Sequence, residues 1–170
     1  IPDVIEGKKI NQHDIVQFKG MSKEIVDHRA KYGEEPLWTN SMYGGMPAYL
    51  ISTQYKGNIL RQVHRVLTID NFRPVCFVFL YLIGTYIALL LFGVSPWLSF
   101  AGAIAYAFSS YFFIIIQAGH VSKVLALGYM PPIIAGTYAA FRGKALLGSL
   151  IAGIFLGLQI TMNHLQITYY

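Results

Sequence analysis

Three short polar clusters stand out in an otherwise apolar chain, and they contain the side chains that could carry chemistry. Asp14 comes just before a helical pattern, where a carboxylate either caps free backbone N–H groups or acts on a ligand. Lys123 lies in a turn between two apolar runs, where an ammonium either binds phosphate or extends to lipid headgroups. The clusters consist of His13 with Asp14, of His120 with Lys123, and of Asn163 with His164 and Gln166.

The third cluster places three hydrogen-bonding side chains within four positions, at the end of an apolar run. This pattern is typical of an interfacial helix end and also of the lining of a site. A metal site built from histidines and Asp14 is conceivable, but no two of these residues have a diagnostic spacing. The candidate ligands of such a metal site are His13, Asp14, His120 and His164.

The elements that must position these clusters are long apolar runs. Residues 74–170 contain only three side chains with a fixed charge, and they contain no Asp or Glu. About 20 apolar residues cross a hydrocarbon core of roughly 30 Å, so such runs predict membrane-spanning helices. The alternative is a soluble all-helical core, but this half has almost no polar face. We predict an all-α membrane protein, an antiparallel bundle with spans at about 74–94, 97–119, 124–141 and 145–162.

Residues 1–73 have a different character, since they hold all eight acidic residues and ten of the thirteen basic ones. We predict a first extracytoplasmic loop with juxtamembrane helices. One amphipathic helix should begin near Asp14 and end near Gly33, because glycine is common just past a helix terminus. A second, at 59–69, should lie in the membrane interface. Between them, residues 37–52 are rich in aromatic residues and glycine, and either pack as an ordinary loop or fold over a lipid or substrate.

The basic residues of the short loops predict the orientation. The turn at 142–144 is short and doubly basic, which favours the cytoplasmic side. Counting spans from there places residues 1–73, the turn at 119–123 and residues 163–170 outside the cytoplasm. The three polar clusters then lie on one side of the membrane, although Lys123 is a basic residue on the less favoured side. We also expect a further transmembrane helix upstream.

Small residues and prolines predict how the helices pack. Gly153 and Gly157 form a GxxxG pair, and Ala101 with Ala105 is a similar pair. Such pairs favour close helix packing, and the less favoured alternative is dimerisation of separate chains. The two prolines at 131–132 remove backbone donors and should kink the third span.

Composition and motifs exclude several functions. The net charge of +5 reflects missing acids more than a clustered basic face, so we expect no nucleic-acid partner. The lone Cys76 cannot form an internal disulfide. The sequence contains no P-loop, GxGxxG or GxSxG motif, which removes ordinary soluble nucleotide-binding and esterase functions.

Four segments carry a resemblance to a known family. The chain resembles the opening portion of the YfhO-like bacterial membrane proteins, which belong to the GT-C group of polytopic glycosyltransferases. The resemblance covers essentially all 170 residues of what would be a longer protein. The segments are GKKINQHDIVQFKGMSKEIVDHR, GEEPLWTNSMYGGMPAYLIS, AGHVSKV and NHLQITYY.

The resemblance implies an enzyme of the bacterial inner membrane and cell envelope. It would move a sugar from a polyprenyl-phosphate carrier to a glycan or lipid acceptor at the extracytoplasmic face of the lipid bilayer. It implies that Asp14 is the general base or helps to hold a divalent cation, and that Lys123 and His120 stabilise the leaving phosphate. Many members carry a paired acidic motif near Asp14, which is absent here, so the need for a cation stays open. The remaining binding residues would be His13, Asn163, His164 and Gln166.

Two other functions fit the same residues. In a transporter or lipid flippase the polar clusters would form a substrate gate. Transporters often contain broken helices near the bilayer midplane, and the prolines at 131–132 would supply one such break. In a non-catalytic structural subunit of an envelope complex the bundle would keep a glycosyltransferase-like fold, and Asp14 would only cap its helix.

Overall fold

The computed structural model describes residues 12–52, 54, 57–69 and 72–170. Eight α-helices and one two-stranded antiparallel sheet occur in this described part, so the chain is all-α in class. It forms two compact units. The first comprises the residues up to Gly57 together with 117–119, and the second comprises 58–116 and 120–170. The first eleven residues of the predicted loop 1–73 lie outside the description.

The first unit is built on helix α1, His13–Tyr32. It ends where the sequence predicts, because Gly33 has φ of 72° and its N–H donates to the carbonyl of Arg29 at 2.9 Å. A residue in this left-handed conformation satisfies a carbonyl of the last turn, and glycine adopts it without steric cost. The sheet follows, with β1 at Trp38–Thr39 and β2 at Met46–Pro47. A single 3-10 turn, Ala48–Leu50, completes the hairpin.

Glu24 on α1 fixes the first strand of this hairpin. Its Oε2 accepts hydrogen bonds from Thr39 Oγ1 at 2.6 Å and from the Asn40 N–H at 2.9 Å. These bonds stabilise the ionised carboxylate, chiefly the one from Thr39, and they hold the pKa of Glu24 below its usual range.

Arg29 fixes the far end of the hairpin. Its guanidinium donates to both carboxylate oxygens of Glu35, at 2.7 and 2.8 Å. It also donates to the carbonyl of Ser52 at 2.8 Å. Bidentate pairs of this kind constrain geometry more strongly than single contacts do. The hairpin is therefore tied to α1 at both ends.

The second unit contains the apolar helices. Short connections join α3 to α4, α5 to α6 and α6 to α7. Helix α3 packs on α4, and α6 packs on α7. The helices are α2 Leu60–Leu67, α3 Val75–Leu91, α4 Pro96–Ala107, α5 Ser110–Ala118, α6 Val121–Phe141, α7 Ala145–Thr161 and α8 Leu165–Tyr169.

Helices α3 and α6 run in the same direction. The hydroxyl of Tyr81 donates to the carbonyl of Val124 at 2.9 Å. Further along both helices, a methyl group added to Gly84 would lie 2.6 Å from the carbonyl oxygen of Gly128. The contacts advance together along the two helices, which is the relation expected for alternate members of an up-and-down bundle.

Helices α6 and α7 run in opposite directions and pack closely. A methyl group on Gly136 would lie 2.8 Å from the backbone nitrogen of Ala152. Further along α7, the side-chain amide of Gln159 donates to the carbonyl of Ala126 at 2.9 Å. Later residues of α7 thus face earlier residues of α6. The buried core of the unit includes Leu80, Tyr81, Val124, Tyr129 and Leu158.

The predicted single span 97–119 is broken. Helices α4 and α5 are bent by 46° at the break, where Phe108 leaves the helical conformation with ψ of 15°. Ser109 and Ser110 follow it. Serine side chains compete for backbone hydrogen bonds and mark a common place for helices to break.

Among the described residues, one helix, α6, is long and apolar enough to cross a membrane. The bent pair α4 and α5 would make a second if the two form one span. Helices α3 and α7 are apolar but have 17 residues each.

The predicted small-residue pairs do not form the contact between α6 and α7. A methyl group on Gly153 would meet nothing within 4 Å, and one on Gly157 would meet Leu60 of α2. The close approach of α6 and α7 uses Gly136 and Gly148 instead, because backbone atoms of each helix occupy the space where the other glycine would carry a methyl group. Both Ala101 and Ala105 are exposed. The prolines at 131–132 lie within one continuous helix.

Candidate functional site

Asp14 lies in the first turn of α1, two residues after the N-cap residue Gln12. A carboxylate there complements the partial positive charge of the helix N-terminus. Its neighbour His13 is exposed, and the side-chain amide of Gln17 donates to His13 Nε2 at 2.9 Å. The start of α1 thus presents an acid and an imidazole side by side.

The start of α1 packs against the segment 117–119, which belongs to the same unit. A methyl group on Gly119 would lie 2.9 Å from Cβ of Gln12 and 3.5 Å from Cβ of Asp14. Gly119 is buried and has φ of 92°, so both its space and its backbone conformation favour glycine. Two segments that are more than a hundred residues apart in sequence therefore meet beside Asp14.

The second cluster opens α6. His120 is the N-cap residue, and its N–H donates to the carbonyl of Ile115 at 3.2 Å. Lys123 lies in the first turn with its ammonium 5.4 Å from the centre of the Tyr111 ring. A cation at a helix N-terminus opposes the helix dipole by about 0.3–1 kcal/mol. The contact with the ring offsets this by about 0.5–1 kcal/mol, so the dipole gives no reason for a lysine here.

The third cluster forms the turn between α7 and α8. Asn163 has φ of 56°, a conformation that asparagine tolerates better than most residues. His164 is the N-cap residue of α8, and within the described residues its buried Nδ1 has no hydrogen-bond partner. Gln166 is exposed. The next turn of α8 holds a second buried polar atom of this kind, Thr168 Oγ1.

The packing directions bring the second and third clusters to the same end of the second unit. Gln159 near the end of α7 bonds Ala126 near the start of α6. The antiparallel course of the two helices then carries Asn163 and His164 toward the end of α6 that holds Lys123. The prediction that all three clusters lie on one side of a membrane is a wider one, and the second unit shows this relation for the second and third clusters alone.

The donor groups of the described residues do not fit a metal site. No group of three or more His, Cys, Asp or Glu side chains in that part of the chain could hold a metal ion. The set His13, Asp14, His120 and His164 is therefore not assembled as a metal centre among the described residues.

Sequence reasoning missed a polar contact inside the second unit. His64 Nδ1 and the buried hydroxyl of Tyr129 lie 2.6 Å apart, within hydrogen-bond distance. Leu60, His64 and Leu67 turn toward the core, whereas Ile59 and Val66 are exposed, because α2 packs on α6 and α7. The sequence contains no pattern that indicates a buried hydrogen-bond partner for His64.

Comparisons with protein-family models, with curated proteins and with solved structures find no match to this chain.

Proposed function

We propose that this chain is part of a polytopic membrane glycosyltransferase of the GT-C kind, which moves a sugar from a polyprenyl-phosphate carrier to an envelope acceptor at the extracytoplasmic face. The observation that carries the proposal is the packing of Asp14 against Gly119. The resemblance assigns the acid to Asp14 and the phosphate contacts to His120 and Lys123, the residues that follow Gly119 in the chain.

The surface of the second unit supports the membrane part of the proposal. Large apolar side chains are exposed on several of its helices, with Trp97 at 86%, Phe141 at 88% and Leu146 at 77%. Exposed apolar surface costs about 25 cal/mol per Å² in water, so contiguous patches of it indicate a partner. A bilayer supplies such a partner on all sides of a bundle. The fixed charges of residues 74–170 lie at helix ends, at Lys123 and in the turn 142–144.

The proposed reaction is inverting glycosyl transfer. The hydroxyl oxygen of the acceptor attacks the anomeric carbon of the sugar, and the bond from that carbon to the carrier phosphate breaks. The hydroxyl proton passes to the carboxylate of Asp14. The electron pair of the broken bond stays on the polyprenyl phosphate, whose added charge Lys123 stabilises with His120. The residues that would hold the sugar or carrier are His13, Asn163, His164 and Gln166.

The test is transfer from polyprenyl-phosphate sugars in proteoliposomes. General-base catalysis contributes about 10²–10⁴-fold, so Asp14→Asn should lower the rate by that factor. Loss of one group that stabilises charge costs about 10²–10³-fold, which is the loss expected for Lys123→Ala. Asp27→Asn is the matched control, because Asp27 is an exposed acid on the same helix. Unchanged transfer by a folded Asp14→Asn variant contradicts the assignment.

A second candidate function, a lipid or glycan transporter, is favoured by the break between α4 and α5. Transporters often place broken helices at the substrate site, where unwound backbone groups contact the cargo. The two functions differ in their products, since a transporter moves the lipid-linked sugar across proteoliposomes without cleaving its phosphate bond.

A further inference from the structure

The hairpin segment of the first unit combines strong exposure with a complete absence of charge. Residues 37–52 contain no Asp, Glu, Lys or Arg, although acids and bases are frequent before them and bases recur after them. Leu37 is 83% exposed and Tyr43 is 91% exposed. Below, this exposed set is called the hairpin patch, and its members are Leu37, Trp38, Tyr43, Tyr49 and Leu50.

The hairpin patch is held on a rigid frame. Glu24 binds Thr39 and Asn40, as described above, and the hydroxyl of Ser41 donates to the carbonyl of Met21 at 2.9 Å. The N–H of Ala48 donates to the carbonyl of Leu37 at 3.0 Å, which closes the base of the hairpin. These hydrogen bonds fix the backbone of the hairpin. The fixed backbone in turn keeps the apolar side chains of the hairpin patch exposed.

The tip of the hairpin holds the ring of Tyr43 on an unfavourable backbone. Tyr43, Gly44 and Gly45 have φ of 51°, 77° and 123°. The left-handed conformation costs a non-glycine residue about 1–2 kcal/mol. Gly45 lies directly under the indole of Trp38, since an added methyl group would come within 2.7 Å of Trp38 Nε1. Strain of this order at an exposed aromatic tip is typical of segments that contact a ligand or surface.

We propose that the hairpin patch is a membrane anchor that inserts into the headgroup region of a lipid bilayer. Tyrosine and tryptophan rings are amphipathic and concentrate at this depth, and leucines beside them reach the first part of the hydrocarbon. A surface without charge enters the interface without leaving an ion desolvated. A bilayer is the occupant that fits this chain, since its helix α6 is long and apolar enough to cross one. The inference thus rests on the membrane part of the proposed function.

The polar side chains of the hairpin argue against a sugar as the occupant. A sugar site needs hydroxyl, amide or carboxylate groups placed beside the aromatic rings to bind the sugar hydroxyls. The hydroxyls of Thr39 and Ser41 are instead used to fix the hairpin on α1. These two hydroxyls are therefore already engaged within the first unit, which suits lipid better than carbohydrate as the occupant.

The two tryptophans of the chain allow a sharp test. Trp97→Phe leaves Trp38 as the single reporter, and Trp38→Phe leaves Trp97 as its matched control. Each variant is reconstituted in vesicles of lipids brominated either near the headgroup or near the chain end. For Trp38 we expect blue-shifted emission, loss of emission with the headgroup-proximal bromines and little loss with the distal ones. Iodide in the buffer should quench it weakly.

The outcomes separate this inference from the proposed function. If Trp97 is quenched by brominated lipid while Trp38 is quenched only by iodide, the anchor is refuted and the membrane bundle stands. If neither tryptophan is quenched by brominated lipid, the anchor and the membrane bundle are both refuted. If Trp38 is shielded from iodide and from both lipids, another protein surface covers it and the anchor is again refuted. Tyr43→Ser should reduce quenching of Trp38 by lipid, whereas Gly20→Ala, on α1 in open space, should not.

Discussion

The contact between α6 and α7 makes a strong prediction about two glycines of the same helix. Gly148 is buried where α7 meets α6, and a methyl group on it would overlap the backbone nitrogen of Ala140 and the carbonyl oxygen of Gly136. Gly153, slightly more than one turn later, faces open space. The two positions differ in their surroundings and share the same helix, so Gly148→Ala and Gly153→Ala form a matched pair.

The two substitutions should change the free energy of unfolding differently. Alanine is favoured over glycine inside a helix by about 1 kcal/mol, so Gly153→Ala should be neutral or stabilising by up to that amount. At Gly148 the same gain is opposed by overlap with backbone, which cannot move aside as a flexible side chain can. Overpacking costs about 1–3 kcal/mol and occasionally more. Because the helix gain is the same at both positions, the two variants should differ in free energy of unfolding by the overlap term, about 1–3 kcal/mol.

The assay is thermal unfolding in one detergent, followed by helical circular dichroism. For a chain of this size, 1 kcal/mol corresponds to about 2–4 °C in melting temperature. We expect Gly148→Ala to melt at least about 2 °C below Gly153→Ala. Equal melting temperatures would refute the close packing of α6 on α7.

Two further predictions concern hydrogen bonds in the two units. Because the pKa of Glu24 is lowered in the folded chain, its bonds to the hairpin contribute stability above the ordinary value of 4.5 and lose it as the pH falls through the lowered pKa. In the Trp97→Phe background, Trp38 emission should shift in that window, and a Glu24→Gln variant that shifts equally would contradict the assignment. Tyr129→Phe removes the partner of His64 and should cost about 0.5–1.5 kcal/mol in thermal unfolding, whereas Tyr138→Phe, at an exposed ring, should cost little.

The local features of this fold can be predicted from the sequence. Helix α1 ends at Gly33 as predicted, because one glycine decides the cap. The apolar runs give the α3, α6 and α7 helices within a few residues. The break at Phe108 is missed because two serines weaken a helix only slightly, and apolar composition on both sides suggests continuity.

The features that depend on distant contacts cannot be predicted in this way. Gly148 and Gly153 look alike in the sequence, and only the rotation of α7 against α6 decides which is buried. His64 finds Tyr129 across 65 residues of chain, and Asp14 meets Gly119 across more than a hundred. For the site, the sequence identifies the polar residues at helix ends, and the packing directions of the second unit then bring Lys123 and His164 to one end.

The central claim is that Asp14 and Lys123 lie on the same, extracytoplasmic side of the membrane. In a background of Cys76→Ala, single cysteines are introduced as Asp14→Cys, Lys123→Cys and Arg142→Cys, and intact cells are treated with a membrane-impermeant maleimide. We expect labelling at positions 14 and 123 without permeabilisation, and labelling at 142 only after it. Labelling of positions 14 and 123 from opposite sides would contradict the account.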